Sequence, residues 1–232
     1  MNPNDVTPPN QFERKEDSRS LFAVVFEVRP NDERGDDYLS IAGGLRPRLV
    51  TMPGFLENER FRSRSRPGWL LSLSLWDDEK ALVRWRTVEK HHDAQRDGRQ
   101  GVLDDYHIRV GEVTAVSGRF ADRQVGWMRH DATQIGECQA LTIVDTRDAP
   151  DTTLPDRYRG TPHAVEHEVF DHIGTHGRVA IVNAWRTQEE ADAFAVAARS
   201  QWGTGAGIYA VRVFRDYSLH DRREAPQFYP PR

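Results

Sequence analysis

Between Leu70 and Val110 the chain runs through three periodicities in a fixed order, and that order leaves few folds open. Leu70-Leu71-Ser72-Leu73-Ser74-Leu75-Trp76 alternates apolar and polar residues, as a strand does when one face is buried. Asp77-Asp78 comes next, where carboxylates cap a helix and meet its positive end. Ala81-Leu82-Val83-Arg84-Trp85 then continues at helical spacing through His91-His92-Asp93-Ala94-Gln95, and Tyr106-His107-Ile108-Arg109-Val110 closes as another strand.

The same plan starts upstream and returns downstream. Phe22-Ala23-Val24-Val25-Phe26-Glu27-Val28 is a β-branched and aromatic strand, and Pro30-Asn31-Asp32 turns the chain. Helical spacing runs from Tyr38 until Met52-Pro53-Gly54-Phe55, where proline and glycine end it. Phe55 to Phe61 and Trp69 to Trp76 predict two further strands around the turn Arg66-Pro67-Gly68. Residues 21–119 therefore read as β-α-β-β-α-β, a ferredoxin-like unit. Residues 139–220 repeat the order in degenerate form: Gln139 to Val144, Val179 to Trp185, a helix through Phe194, and Ile208 to Phe214, with Trp185 ending its strand as Trp76 does. Residues 120–138 read as a linker, 1–20 as a flexible tail, and 221–232 as a Pro-rich tail that either wraps the surface or stays loose. The expected fold class is α+β, two tandem ferredoxin-like units. Gly43-Gly44, at a cost of roughly 1 kcal/mol each against alanine, either breaks the first helix or lets a ligand approach its backbone.

Composition removes several function classes. A net charge of -4 without a polybasic run gives no electrostatic reason to expect nucleic acid. No apolar run reaches membrane-spanning length, and the Pro/Asn/Asp-rich start lacks the apolar core of a signal peptide, so a cytoplasmic location is expected. One cysteine, Cys138, excludes an internal disulfide and a multi-cysteine zinc site. Gly203-Thr204-Gly205-Ala206-Gly207 lies after a helix and before a strand, the reverse of a phosphate-binding loop, and reads as a connection.

Phe26-Glu27-Val28, Leu45-Arg46-Pro47, Pro53-Gly54-Phe55, Ser74-Leu75-Trp76, Ala81 to Arg86, His92-Asp93-Ala94-Gln95 and Tyr106 to Val110 together resemble the antibiotic biosynthesis monooxygenase family of dimeric α/β-barrel proteins. The resemblance covers residues 21 to 115 by motif and 139 to 218 by element order. It implies a barrel closed inside one polypeptide, and it leaves open a homodimer of the whole chain. It also implies an oxygenase acting on an aromatic polyketide or quinol, with no tightly bound cofactor. In a tandem member like the angucycline ring-opening oxygenases, the electrons come from a diffusible reduced flavin, FAD or FMN, supplied by a flavin reductase. The superfamily also contains haem-degrading enzymes, so a haem-binding protein and a non-catalytic small-molecule-binding barrel stand as alternatives.

Such an oxygenation needs a base near neutral pKa and an apolar pocket. If one helix continues from Trp85, His92 lies seven residues on and shares its face, while His91 points about 100° away, to solvent. His92 is therefore the expected base, with Trp85 and His91 beside it as catalytic candidates. Trp76, Tyr106 and Arg109 are candidate substrate contacts, although Tyr106 and Arg109 fall on opposite faces of their strand and at most one lines a pocket. The second unit has Arg199-Ser200-Gln201 where the first has its histidines, so its site has lost the imidazole. His163-Ala164-Val165-Glu166-His167 matches the H-x-x-E-H zinc motif if helical, but aligns with the first helix of the second unit, and no metal site is expected. His163 and His167 remain candidate substrate contacts.

Overall fold

The computed structural model describes residues 20–123, 125–126, 131–147 and 164–226. Four strands come from the first unit: β1 (Phe22–Pro30), β2 (Phe55–Ser63), β3 (Leu70–Trp76) and β4 (Leu103–Ser117). Four come from the second: β5 (Ala140–Arg147), β6 (Ala164–His172), β7 (Arg178–Trp185) and β8 (Gly207–Ser218). They close one antiparallel barrel in the order β1-β3-β2-β6-β7-β5-β8-β4, with β2–β6 and β4–β8 as the seams between units.

Register shows the internal symmetry directly. Trp76 stands opposite Phe22 of β1 and Phe55 of β2, and Trp185 stands opposite Ala140 of β5 and Ala164 of β6. Each unit then inserts one extra residue at the same place, between Phe55 and Glu57 in β2 and between Ala164 and Glu166 in β6. Matching pairs and matching bulges define a pseudo-twofold axis inside the chain. At the β4–β8 seam the strands pass closely, and a Cβ on Gly111 would lie 2.4 Å from Val211 Cγ1 and 2.5 Å from the Arg212 carbonyl oxygen.

Alternation along the strands separates two environments. Ala23, Val25, Leu71, Leu73 and Leu75 meet Leu141, Ile143, Ala180, Val182 and Val211 in a core shared by both units inside the barrel. The opposite faces carry the helices α1 (Gly35–Leu49), α2 (Glu79–Arg86), α3 (Glu89–Asp97) and α4 (Gln188–Trp202). On α4, Ala191, Phe194, Ala195 and Ala198 close over Trp185, Ile181 and Ala140. Trp76 and Trp185 are each 1% exposed, and truncating a side chain of this size in a core costs about 3–5 kcal/mol.

Three sequence expectations change. The helix carrying Trp85 does not run through to the histidines: α2 stops at Arg86, Thr87 Oγ1 donates to the Val83 and Arg84 carbonyls, and Val88 is extended before α3 begins. The segment of His167 is strand β6, not a helix, so the i, i+4 geometry of a zinc motif does not arise; His163 lies outside the described residues. Gly43 and Gly44 do not break α1, and among the described residues a Cβ at either would meet nothing within 4 Å.

Candidate functional site

The helix-side face of the first sheet, covered by α1, α2 and α3, bounds a cavity of about 260 Å3. Its floor is split lengthwise. β1 and β4 supply Val24, Phe26, Ile108 and Val110, while β2 and β3 supply Asn58, Arg60, Ser72 and Ser74. The halves are in register across the sheet, with Arg60 opposite Ser72, Ser72 opposite Phe26, and Phe26 opposite Ile108. Asn58 Nδ2 donates to Ser72 Oγ at 2.8 Å, and Trp76 Nε1 donates to Ser74 Oγ at 2.9 Å. A ring compound lying on this floor would meet hydrocarbon along one edge and hydrogen-bonding groups along the other.

The wall above the floor is built by the break between α2 and α3. Asp78 caps α2 by accepting from the Ala81 N–H at 2.7 Å, which fixes the helix at Trp85. The turn at Thr87-Val88 then brings His91, six residues on, back over the indole. The rings stack with centroids 4.5 Å apart and planes 19° apart. His91 Nδ1 lies 3.0 Å from the Trp85 carbonyl oxygen, which can only accept, so Nδ1 carries the proton. Nε2 is thereby left as an acceptor, and no described residue hydrogen-bonds to it. Burial lowers the imidazole pKa to about 4, and nearby His92 adds to that, although the bond to the Trp85 carbonyl opposes it. His91 is therefore a neutral acceptor at physiological pH.

The lining is electropositive. Arg60, Arg86, Arg99, Arg215 and Arg222 face the cavity, against Glu79 as the acidic lining residue. Burial lowers the pKa of Arg86, and Arg215 adds to it. Tyr38 sits at the same cavity beside Arg60, its phenol pKa raised by burial against the opposing pull of that guanidinium.

A family model described as antibiotic biosynthesis monooxygenase matches residues 21–97, from β1 to the end of α3, and so includes Trp85 and His91. A jasmonate monooxygenase of Pyricularia oryzae is 40% identical over 225 residues, covering 91% of this chain and 99% of that protein. The chain belongs to the antibiotic biosynthesis monooxygenase family. An uncharacterized Bacillus subtilis protein, YqjZ, is 30% identical over 93 residues, 40% of this chain and 78% of its own. Among solved structures, an aldoxime dehydratase matches 89% of each chain at 12% identity with a TM-score of 0.55, a likeness of fold across both units. The protein is thus a monooxygenase of this family on a tandem barrel. No helix among the described residues is long and apolar enough to cross a membrane.

Within this family member, the residues singled out from the sequence land in different places. Trp76, Trp85, His91 and Tyr106 line the cavity together. His92, the expected base, is exposed and outside the lining, because the helix break cancels the seven-residue spacing that pointed it inward. Arg109 is a second correction. It lies inside the barrel mouth, 3% exposed, held by Glu166 at 2.7 Å and by Glu27 and Asp216 at 3.4 Å; burial works against its charge, and the acidic groups around it outweigh burial and raise its pKa. A hollow of about 420 Å3 borders that cage and the buried Cys138. His167 faces away from the first-unit cavity and meets Asn183 Oδ1 at 2.7 Å. Sequence reasoning does not find Asn58, Arg60, Ser72, Ser74, Arg99 and Arg222. The signal for the serines lies in the alternation of β3, whose polar positions sit under helices rather than in water.

Proposed function

We propose that this monooxygenase binds one small, oxygen-bearing ring compound on the divided floor and oxidises a carbon whose C–H is acidified by a neighbouring carbonyl or phenol. His91 Nε2 takes the proton, as a weaker base than the near-neutral one expected from the sequence because burial disfavours its charged form; the arginines of the lining favour the electron-rich anion left behind, which passes an electron to oxygen. The apolar half of the floor and the Trp85 indole keep water from the radical pair. For a methylene, one molecule of dioxygen converts the carbon to a carbonyl and releases one water. One oxygen atom enters the carbon in place of its two hydrogens, the other leaves with them as water, and the substrate supplies all the electrons. Where the product is an alcohol, a two-electron donor of the reduced-flavin class completes the balance.

The observation that carries this reading is the stacked Trp85–His91 pair, with its unprotonated nitrogen beside a cavity that is half apolar and half hydrogen-bonding. A volume of about 260 Å3, just below the usual range of roughly 300–1,000 Å3 for small-molecule sites, favours a single small ring system over a haem macrocycle or an extended polyketide. The near full-length relative named for jasmonate makes jasmonate-like cyclic ketones the first class to try, with anthrone-type quinols the second.

Oxygen uptake by the full chain, measured with jasmonic acid and with anthrone, in the presence and absence of reduced FMN, tests it. Uptake that is stoichiometric with product and lowered roughly 10²- to 10⁴-fold in His91→Ala is the expected result. Uptake unaffected by that substitution would remove His91 from the reaction.

A further inference from the structure

At the end of the cavity opposite Trp76, three parts of the chain converge on one phenol. Tyr106 of β4 takes a hydrogen bond from Arg99 Nη1 at 3.1 Å, out of the tight turn Gly98–Val102, and another from Arg222 Nη1 at 2.6 Å, out of the segment after β8. A phenol oxygen has two acceptor positions and one proton to give. Both acceptor positions are filled by guanidinium donors, so the O–H must point at an acceptor, and none among the described residues takes it. Tyr106 and Arg99 are 6% and 7% exposed and line the cavity, so these donors are aimed into it from buried positions. Arg60 reaches the same end beside Tyr38, its Nε buried with no hydrogen-bond partner among the described residues.

We infer that Tyr106, Arg99 and Arg222 form an anchoring subsite for the carboxylate of an amphipathic substrate, the apolar body lying on Val24, Phe26 and Ile108. The inference rests on the small-ring reading above and names the charge that the ring compound carries. A carboxylate supplies the acceptor that the phenol O–H lacks among the described residues, and it is the anion that the excess of arginine along the lining favours. The segment after β8 is what completes the subsite. Leu219 N–H donates to the Tyr106 carbonyl at 3.1 Å, and the Glu224 carboxylate accepts from Thr133 Oγ1 at 2.8 Å and from the Asp216 N–H at 2.7 Å, pinning the turn that presents Arg222. Residues distant in the sequence from Trp85 and His91 thus set specificity at their cavity.

Isothermal titration of the full chain with two acid–ester pairs tests it: jasmonic acid against methyl jasmonate, and 2-naphthoic acid against methyl 2-naphthoate. Hydrogen bonds to a charged group are worth roughly 10- to 100-fold in affinity, so the acid should bind tighter than its ester by about that factor. Arg222→Met, which removes the guanidinium lying over the Tyr217 ring, and Tyr106→Phe should each erase most of the acid preference, read as the acid-to-ester ratio on the same variant so that any loss of stability cancels. Equal affinity for acid and ester in both pairs, an acid preference that survives both substitutions, or no binding of either acid would overturn the subsite. Acid-selective binding with no oxygen uptake would leave the subsite standing and count against the oxygenase reading for those compounds.

Discussion

His91 shows how much a single residue's role depends on one local break. Extending one helical period across Thr87-Val88, two β-branched residues in a row, selects His92. The chain leaves the helix there, and the neighbour that the same period points to solvent becomes the ring stacked on Trp85. The consequences are measurable in pH. A base held at about 4 stays neutral well below the ordinary histidine range, so kcat/KM should hold level from pH 7 to about 5 and fall only as pH approaches 4. An acid limb near 6.5 would mean that another histidine takes the proton. Stability moves in the same window. The unfolded chain protonates this imidazole before the folded one does, so its contribution is complete above pH 6.5 and is lost as pH falls toward 4, and His91→Gln should flatten that part of the stability curve. His92→Ala, at an exposed position, should keep the shape of both profiles and move the His91 limb slightly to higher pH, because the His92 charge adds to the lowering.

At the scale of elements, legibility depends on whether periodicity is complete within the segment. β3 alternates and β1 and β7 are largely apolar runs, and all three appear where the pattern puts them. β6 is hidden because Val165, Val169 and Phe170 are spaced by bulge and strand rather than by clean alternation, while the histidines suggest a helical motif. The candidate site is half legible for a related reason. Aromatic residues announce the cavity, but Ser72 and Ser74 read as the wet face of a strand, and Arg222 lies in a tail with no period at all. The glycines of α1 illustrate the converse, a feature that invites a functional meaning and has none in the fold. Both are exposed in an unbroken helix with open space at the Cβ position, so Gly43→Ala and Gly44→Ala should each stabilise by about 0.5–1 kcal/mol with oxygen uptake unchanged. Destabilisation by either, read from urea unfolding, would mean that this face of α1 is occupied by something other than the described residues.

Across the whole molecule, duplication has been followed by division of labour. The β-barrel needs both units, since its core is filled from both, yet the described cavity belongs to the first. In the second, α4 runs unbroken to Trp202, Phe194 packs against Trp185 at 5.3 Å, and the position matching His91 is the exposed Ser200. The seam between units is itself asymmetric. Glu112 and Arg212 occupy equivalent places, opposite Phe22 and Ala140 respectively, and therefore face each other where β4 meets β8 on the pseudo-twofold axis. A symmetric pairing of two first units would set Glu112 against its own copy, whereas the tandem pairing sets carboxylate against guanidinium. Glu112 is 1% exposed, so a second carboxylate at the position opposite it on the ladder is costly. Arg212→Glu should destabilise the full chain by about 3–5 kcal/mol. At roughly 2–4 °C per kcal/mol for a chain of this size, that is a Tm drop of roughly 6–20 °C. The exchange Glu112→Arg with Arg212→Glu should recover most of the loss, because it restores opposite charges across the same seam. If the double exchange unfolds as early as the single reversal, the pair is not what distinguishes the two strands, and the asymmetry of the seam must lie in its packing, at Gly111 against Val211 and Arg212.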